Sequence, residues 1–151
     1  MAFKTKILGR EALSRKLNAL APAAEAAAAK AKIDVAKEAA SLIAAKAPHK
    51  SGDYRRSIKG ERQADNPTKQ PIGGVPSKDP DATAVYAEYI WHFLEFGTKP
   101  HVNKGQFAGT QHPGTAAQPH VFPTWRAFRP KALRKVRNAL NKAVRQAMGK
   151  R

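Results

Sequence analysis

The sequence predicts an α+β fold, with long N-terminal and C-terminal helices packed on a small antiparallel sheet and a long extended arm. Three observations predict it. The run APAAEAAAAKAKIDVAKEAASLIAAKA fills residues 21–47, and alanine has the highest helix propensity of any residue. Two candidate strands, YRRSIK at 54–59 and a second closed by Val85-Tyr86, flank the polar, proline-containing loop 60–82. A closing segment from about Pro123 repeats apolar and basic residues with a helical period.

Element by element, REALSRKLNAL (10–20) places Leu13, Leu17 and Leu20 at helical spacing, which predicts a short amphipathic helix. Pro22 suits the first turn of a second helix over 21–47. Its apolar line, Ala29, Ile33, Ala36, Ala40, Ile43 and Ala47, is made largely of small residues that let a neighbour approach closely. Pro48 ends it. Ser51-Gly52-Asp53 signals a turn before a strand from Tyr54 to Lys59, with Tyr54, Arg56 and Ile58 on one face. Residues 60–82, with Gly73-Gly74 and four prolines, predict a loop. Val85-Tyr86 closes a strand. The recurrence of Tyr86, Tyr89, Ile90, Phe93, Leu94 and Phe96 then predicts a short buried helix over 86–96 that stops at Gly97, with a strand as the alternative.

Residues 98–122 carry no periodicity. A structureless segment of that length inside a domain implies a function or an anchoring neighbour, so it is expected to be an arm. The basic C-terminal helix (123–148) buries Trp125, Phe128, Ala132, Val136, Leu140, Ala143 and Ala147 as one stripe. Arg126, Arg129, Arg134, Lys135, Arg137, Lys142 and Arg145 fall largely off it. Pro130 marks a kink or the true start of that helix. Phe93, Leu94, Phe96, Trp125 and Phe128 are the expected anchors of the core.

Composition narrows the function. Among 151 residues, 28 Lys and Arg face 11 Asp and Glu, a formal charge of +17, which points to an anionic partner. No cysteine is present, so disulfides and thiolate metal sites are excluded. The N-terminus lacks the apolar run of a secretion signal, and no stretch is long enough to span a membrane; a single soluble domain is expected. An alanine-rich core buries little area per residue at roughly 25 cal/mol per Å², which favours an oligomer.

Catalysis is not indicated. Glu95, in WHFLEFGTKP, lacks an obvious second acid with which to divide acid and base roles. Asp65, Asp79 and Asp81 sit among prolines and polar residues. His49, His92, His101, His112 and His120 lack metal-motif spacing, although three of them lie in the arm. Neither GxxxxGK[ST] nor GxSxG occurs, and no cofactor or metal is expected. A carboxylate in the last turn of a helix opposes the dipole by a few tenths to about 1 kcal/mol. Glu95 is therefore expected to pair with Arg55, Arg56 or a basic residue of a neighbouring subunit, or else to be solvated. The basic helix reads equally as a solubilising surface and as a phosphate-facing one.

Three stretches carry a family resemblance. APHKSGDYRRSI (47–58) resembles an aP-x-x-tG-x-lr-x-SI segment, FLEFGT (93–98) an EFGT segment, and HPGTAAQPHVFPTW (112–125) an HPGT-x-A-x-PF-x-x-PA segment. All three belong, in this order, to the tail-component or tail-completion proteins of long-tailed bacteriophages, named after gene product ten of a lambdoid coliphage. The matching positions are Pro48, Gly52, Arg56, Ser57 and Ile58; Glu95, Phe96, Gly97 and Thr98; and His112, Pro113, Gly114, Thr115, Ala117, Pro119 and Pro123. His120 replaces the family's usual phenylalanine and Thr124 its alanine, while FRPKAL (128–133) offers a rival alignment of the last motif.

The resemblance implies a non-catalytic virion protein of the neck, assembled in the host cytoplasm as a homo-oligomeric ring, a hexamer by analogy with tail symmetry. Its implied partners are the tail tube or tail terminator, the head-side connector or stopper, and genomic DNA in the lumen, with no membrane. The alternative is a small basic protein that binds DNA without sequence preference.

Overall fold

The computed structural model describes residues 10–50, 52–74 and 76–149. Its elements are α1 (Arg10–Lys46), α2 (Asp53–Ser57), β1 (Lys59–Arg62), β2 (Thr83–Tyr86), α3 (Trp91–Phe96), β3 (His101–Val102), a 3-10 turn (Gly105–Phe107), β4 (Gln111–His112) and α4 (Val121–Ala147). The α+β class is as predicted: two long helices pack together, and α1 also carries the β1–β2 sheet.

α1 runs through Pro22 without the expected break. Proline there removes one backbone bond, but the residues around it are mostly alanine, whose propensity carries the helix across. Burial starts further on. Leu13 and Leu17 remain exposed, while Ala29, Ala36, Ala40, Ile43 and Ala47 are buried and Ile33 is half-buried. A second line, Ala31, Val35 and Ala39, is buried as well. α1 thus presents two adjoining small-residue faces, one towards the sheet and one towards α4.

These faces build two clusters. Ala40, Ile43 and Ala47 pack with Tyr54, Ile58 and Val121. Val35 and Ala39 pack with Phe128 and Ala132 of α4. Val85 of β2 touches both, so the sheet is the bridge between them. β1 and β2 pair antiparallel from Lys59↔Tyr86 to Arg62↔Thr83. The loop between them folds back, with the Ile72 N–H donating to the Val85 carbonyl at 2.9 Å.

The predicted strand at Tyr54–Lys59 is instead the short helix α2 followed by β1. Ser57 explains the start of the change. Its hydroxyl donates to the Tyr54 carbonyl at 2.7 Å and accepts the Glu88 N–H at 3.1 Å, closing a turn of helix and tying it to the chain beyond β2. Tyr54 and Ile58 are buried but Arg56 is exposed, on an i,i+3 pair with Asp53.

α3 begins at Trp91, five residues later than predicted. It does not bury its aromatics either: Tyr89, Phe93 and Phe96 are exposed, as is Trp125. Of the five expected core anchors, Phe128 is buried and Leu94 half-buried. The rings that the core does take are Tyr54, Tyr86 and Phe128, with Trp91 half-buried against the first cluster.

The segment after Gly97 is not an irregular arm. β3 and β4 pair His101↔His112 and Val102↔Gln111, and a bridge joins Thr98 to Thr115, making a projecting β-hairpin. α4 starts at Val121, two residues before the predicted bound, and Pro130 lies inside it rather than starting it.

Among the described glycines, Gly60 permits the closest approach of another element's backbone. A Cβ at this position would sit far inside van der Waals distance of the Ala36 carbonyl on α1, and backbone cannot rotate away as a side chain can. Gly60→Ala should therefore separate β1 from α1 and destabilise the protein by about 3 kcal/mol, at the upper end of overpacking costs. Gly74→Ala, which meets nothing nearer than 3.9 Å, is the control. Thermal unfolding followed by circular dichroism separates the two, and equal midpoints would refute the close packing.

Candidate functional site

The three sequence motifs converge on one junction, where α3, the hairpin base and the start of α4 meet. Glu95 lies at its centre and is 3% exposed. Its Oε2 accepts the backbone N–H groups of His120 (2.7 Å) and Val121 (2.8 Å), and its Oε1 accepts that of Phe122 (3.0 Å). A helix start leaves four N–H groups without an internal partner. At α4, Glu95 takes three of them, and the fourth position is Pro123, which has no N–H. The cap is complete although His120, the N-cap residue, makes no side-chain cap of its own.

The expected Arg55 or Arg56 partner of Glu95 is thus replaced by a helix N-terminus. Arg55 donates through Nε to the Ala47 carbonyl at 2.8 Å, closing the end of α1. Arg56 is spent on Asp53. The unfavourable end of the α3 dipole is offset by the favourable end of α4, whose N–H groups attract negative charge. Burial pushes the Glu95 carboxyl up, but the bonds from Val121, His120 and Phe122, together with the His120 ring, outweigh it and hold the pKa below the usual value.

His120 is the residue that sequence reasoning missed, since it was read as a departure from phenylalanine. It is buried, and its Nδ1 lies 2.7 Å from the Gln118 carbonyl and 3.4 Å from Glu95 Oε2. A carbonyl can only accept, so Nδ1 carries a proton, and in the neutral ring Nε2 then accepts from the Tyr54 hydroxyl at 2.7 Å. The signal available in the sequence was the second polar group, Tyr54, at the position where the resembling motif has leucine. Burial, and then Glu95, push the Tyr54 hydroxyl pKa up. Together Glu95, His120 and Tyr54 tie α2 and α3 to the start of α4.

Beside this cap the two Gly-Thr dipeptides interlock. Thr98 and Thr115 exchange backbone bonds at 2.9 and 3.0 Å. Gly97 (φ 71°) faces the Thr115 carbonyl and Gly114 (φ 88°) faces the Thr98 carbonyl, each so near that a Cβ would come within 2.5 Å of that oxygen. The Gln118 N–H adds a bond to the Leu94 carbonyl at 2.7 Å. EFGT and HPGT are the two halves of one joint.

The other named positions are distributed around this joint. Gly52 is buried at the head of α2, with Pro48 half-buried ahead of it, and Ser57 and Ile58 complete that corner. Pro113, Ala117 and Pro119 are exposed along the returning strand. His112 stacks on His101 at 4.9 Å and accepts the Gly114 N–H through Nδ1. His120 does not join them, and among the described residues no group of three metal-ligating side chains occurs.

The joint holds out two surfaces. One is apolar: Tyr89 is 76% exposed and Phe96 64%, with Ile90 and Phe93 between them, and Phe107 stands 66% exposed near the hairpin tip. The other is the basic face of α4. Lys131 and Lys135 turn to Glu38 of α1, whose carboxyl they hold low, Lys135 foremost. Among the described residues no ion pair reaches Arg126, Arg129, Arg134, Arg137, Lys142 or Arg145. Glu95 is the last acidic side chain in the sequence, so none is interspersed with these cations along α4.

Residues 11–97 match the family model described as "Bacteriophage HK97-gp10, putative tail-component". The chain belongs to that family. The match covers α1, the sheet and α3, and stops at Gly97 in the middle of the joint; the hairpin and α4 of this phage tail component lie beyond it. No curated protein and no solved structure matches.

Glu95→Ala strands three N–H groups of α4 and should cost about 3 kcal/mol or more. Glu95→Gln keeps an acceptor and should cost less. Because the folded carboxyl is more acidic than the unfolded one, its contribution is complete above the unfolded pKa of about 4.3 and is lost as pH falls through the folded value. The stability gap between wild type and Glu95→Gln, measured by urea titration, should hold from neutrality to about pH 5 and close below about pH 4; a gap that widens on acidification contradicts the cap. His120→Phe orphans the Tyr54 hydroxyl and should cost about 1–3 kcal/mol. Adding Tyr54→Phe should recover part of that, and strict additivity in the double-mutant cycle would show that the two do not interact.

Proposed function

We propose that this tail component is a non-catalytic structural protein of the phage neck, joining or completing the tail as a homo-oligomeric ring between the tail tube and the head-side connector. The observation that carries the reading is the pairing of an exposed aromatic apron at α3 with a β-hairpin that leaves the fold directly after it. Exposed apolar clusters of this kind mark protein contacts. An isolated two-stranded hairpin is at best marginally stable in water, so this one is built to be covered.

A ring needs two different surfaces on each subunit, so that each copy meets the next head to tail. The apron and the hairpin supply them: the hairpin of one copy lies against the apron of its neighbour. A hexamer suits a tail of sixfold symmetry. Neighbours above and below are the tail tube or terminator and the connector or stopper. The named motif residues act as the joint that sets the hairpin's direction, with no chemistry of their own.

Replacing Asn103–Thr110 by a two-residue Asn-Gly turn keeps the Thr98–Thr115 base while removing the tip. This variant, and separately Tyr89→Ser with Phe93→Ser, should remain helical by circular dichroism yet fail to form rings in native mass spectrometry and negative-stain micrographs. Rings of unchanged size from both variants would overturn the proposal.

A further inference from the structure

We infer that the outward ridge of α4 binds the phosphodiester backbone of double-stranded nucleic acid, without reading its sequence, through Arg134, Arg137 and Arg145. The inference does not depend on ring formation. α4 buries Val121, Phe128, Ala132 and Ala143, and at 3.6 residues per turn these define the side facing α1. The same geometry puts Arg134, Arg137 and Arg145 on the opposite side, along about 16 Å of helix axis. Arg126 and Arg129 continue the positive charge towards the start of the helix on one flank, and Lys142 lies on the other.

The fold sorts the two kinds of cation. Lysines 131 and 135 are committed to Glu38 within the molecule, whereas the ridge is all arginine. Guanidinium is always charged and meets phosphate oxygens with paired donors. Within the span Arg134–Arg145 no large apolar side chain is exposed, while Leu133 and Met148 stand 58% and 52% exposed just outside it; Asn138 and Asn141 lie between the arginines. An acidic protein partner would need apolar or aromatic anchors at the centre of such a contact, and here the exposed apolar side chains, Leu133 and Met148, lie at the two ends of the ridge instead. Unpaired bases would need aromatic platforms, which α4 keeps at its other end, at Trp125 and Phe128. A duplex backbone asks for neither.

The test is fluorescence anisotropy of the full chain with a labelled random-sequence duplex. With about four phosphates neutralised, affinity should fall about a hundredfold between roughly 50 and 200 mM salt. The triple variant Arg134→Gln/Arg137→Gln/Arg145→Gln should bind more than about tenfold more weakly at low salt, and its log–log salt slope should be shallower by about three. Lys142→Gln should change that slope by about one or less. Circular dichroism confirms that the variants are folded, and mass spectrometry of the same samples reports assembly separately. Wild-type affinity in the triple variant overturns the proposal. So does competition by polyglutamate as effective as that by duplex of equal charge, which would assign the ridge to an acidic protein surface.

Discussion

A single carboxylate supplies the cap of a 27-residue helix from another element. Helix starts are usually capped by their own N-cap side chain, which serves one or two N–H groups. Here Glu95 serves three and Pro123 removes the need for a fourth. Three other features of the molecule follow from that arrangement. α3 must end where Glu95 can reach α4, so Gly97 turns the chain at once. The chain must then return, so the hairpin closes on Thr98 and Thr115. Tyr54 and His120 must pack behind the carboxylate, which ties α2 to the same place.

The arrangement also explains how a core of small residues suffices. Alanines on α1 give little apolar area each, but they let β1 and α4 approach the helix backbone directly, with Gly60 on Ala36 as the extreme case. At the start of α4 the buried Glu95 carboxylate adds three backbone hydrogen bonds to that packing. The aromatics left over are not a defect of packing. They lie on the outer side of α3, where a second protein surface can meet them.

Much of the helical architecture was legible in the sequence because alanine propensity and the apolar period agree over long windows. The sheet was half legible: TAVY reads as a strand, but YRRSIK does not reveal that Ser57 closes a helical turn by binding its own backbone. Pro22 misled in the opposite sense, since a propensity rule for one residue is outweighed by the many alanines around it. The motif resemblance pointed to the junction residues but not to their contacts. A cap formed by backbone N–H groups leaves no trace in side-chain composition, so an arginine was the natural expectation for Glu95. The hairpin was hidden for a related reason: its ladder is short, and its strands carry no alternating pattern to read.

The joined Gly-Thr dipeptides have a mechanical consequence. A pull on the hairpin tip runs as tension along both covalent strands to their base, where the reciprocal Thr98–Thr115 bonds keep the strands paired. The load then divides, one branch reaching α3 through Gly97 and the other reaching α4 through residues 116–120. A force on the tip therefore arrives at both partners of the Glu95 cap at once.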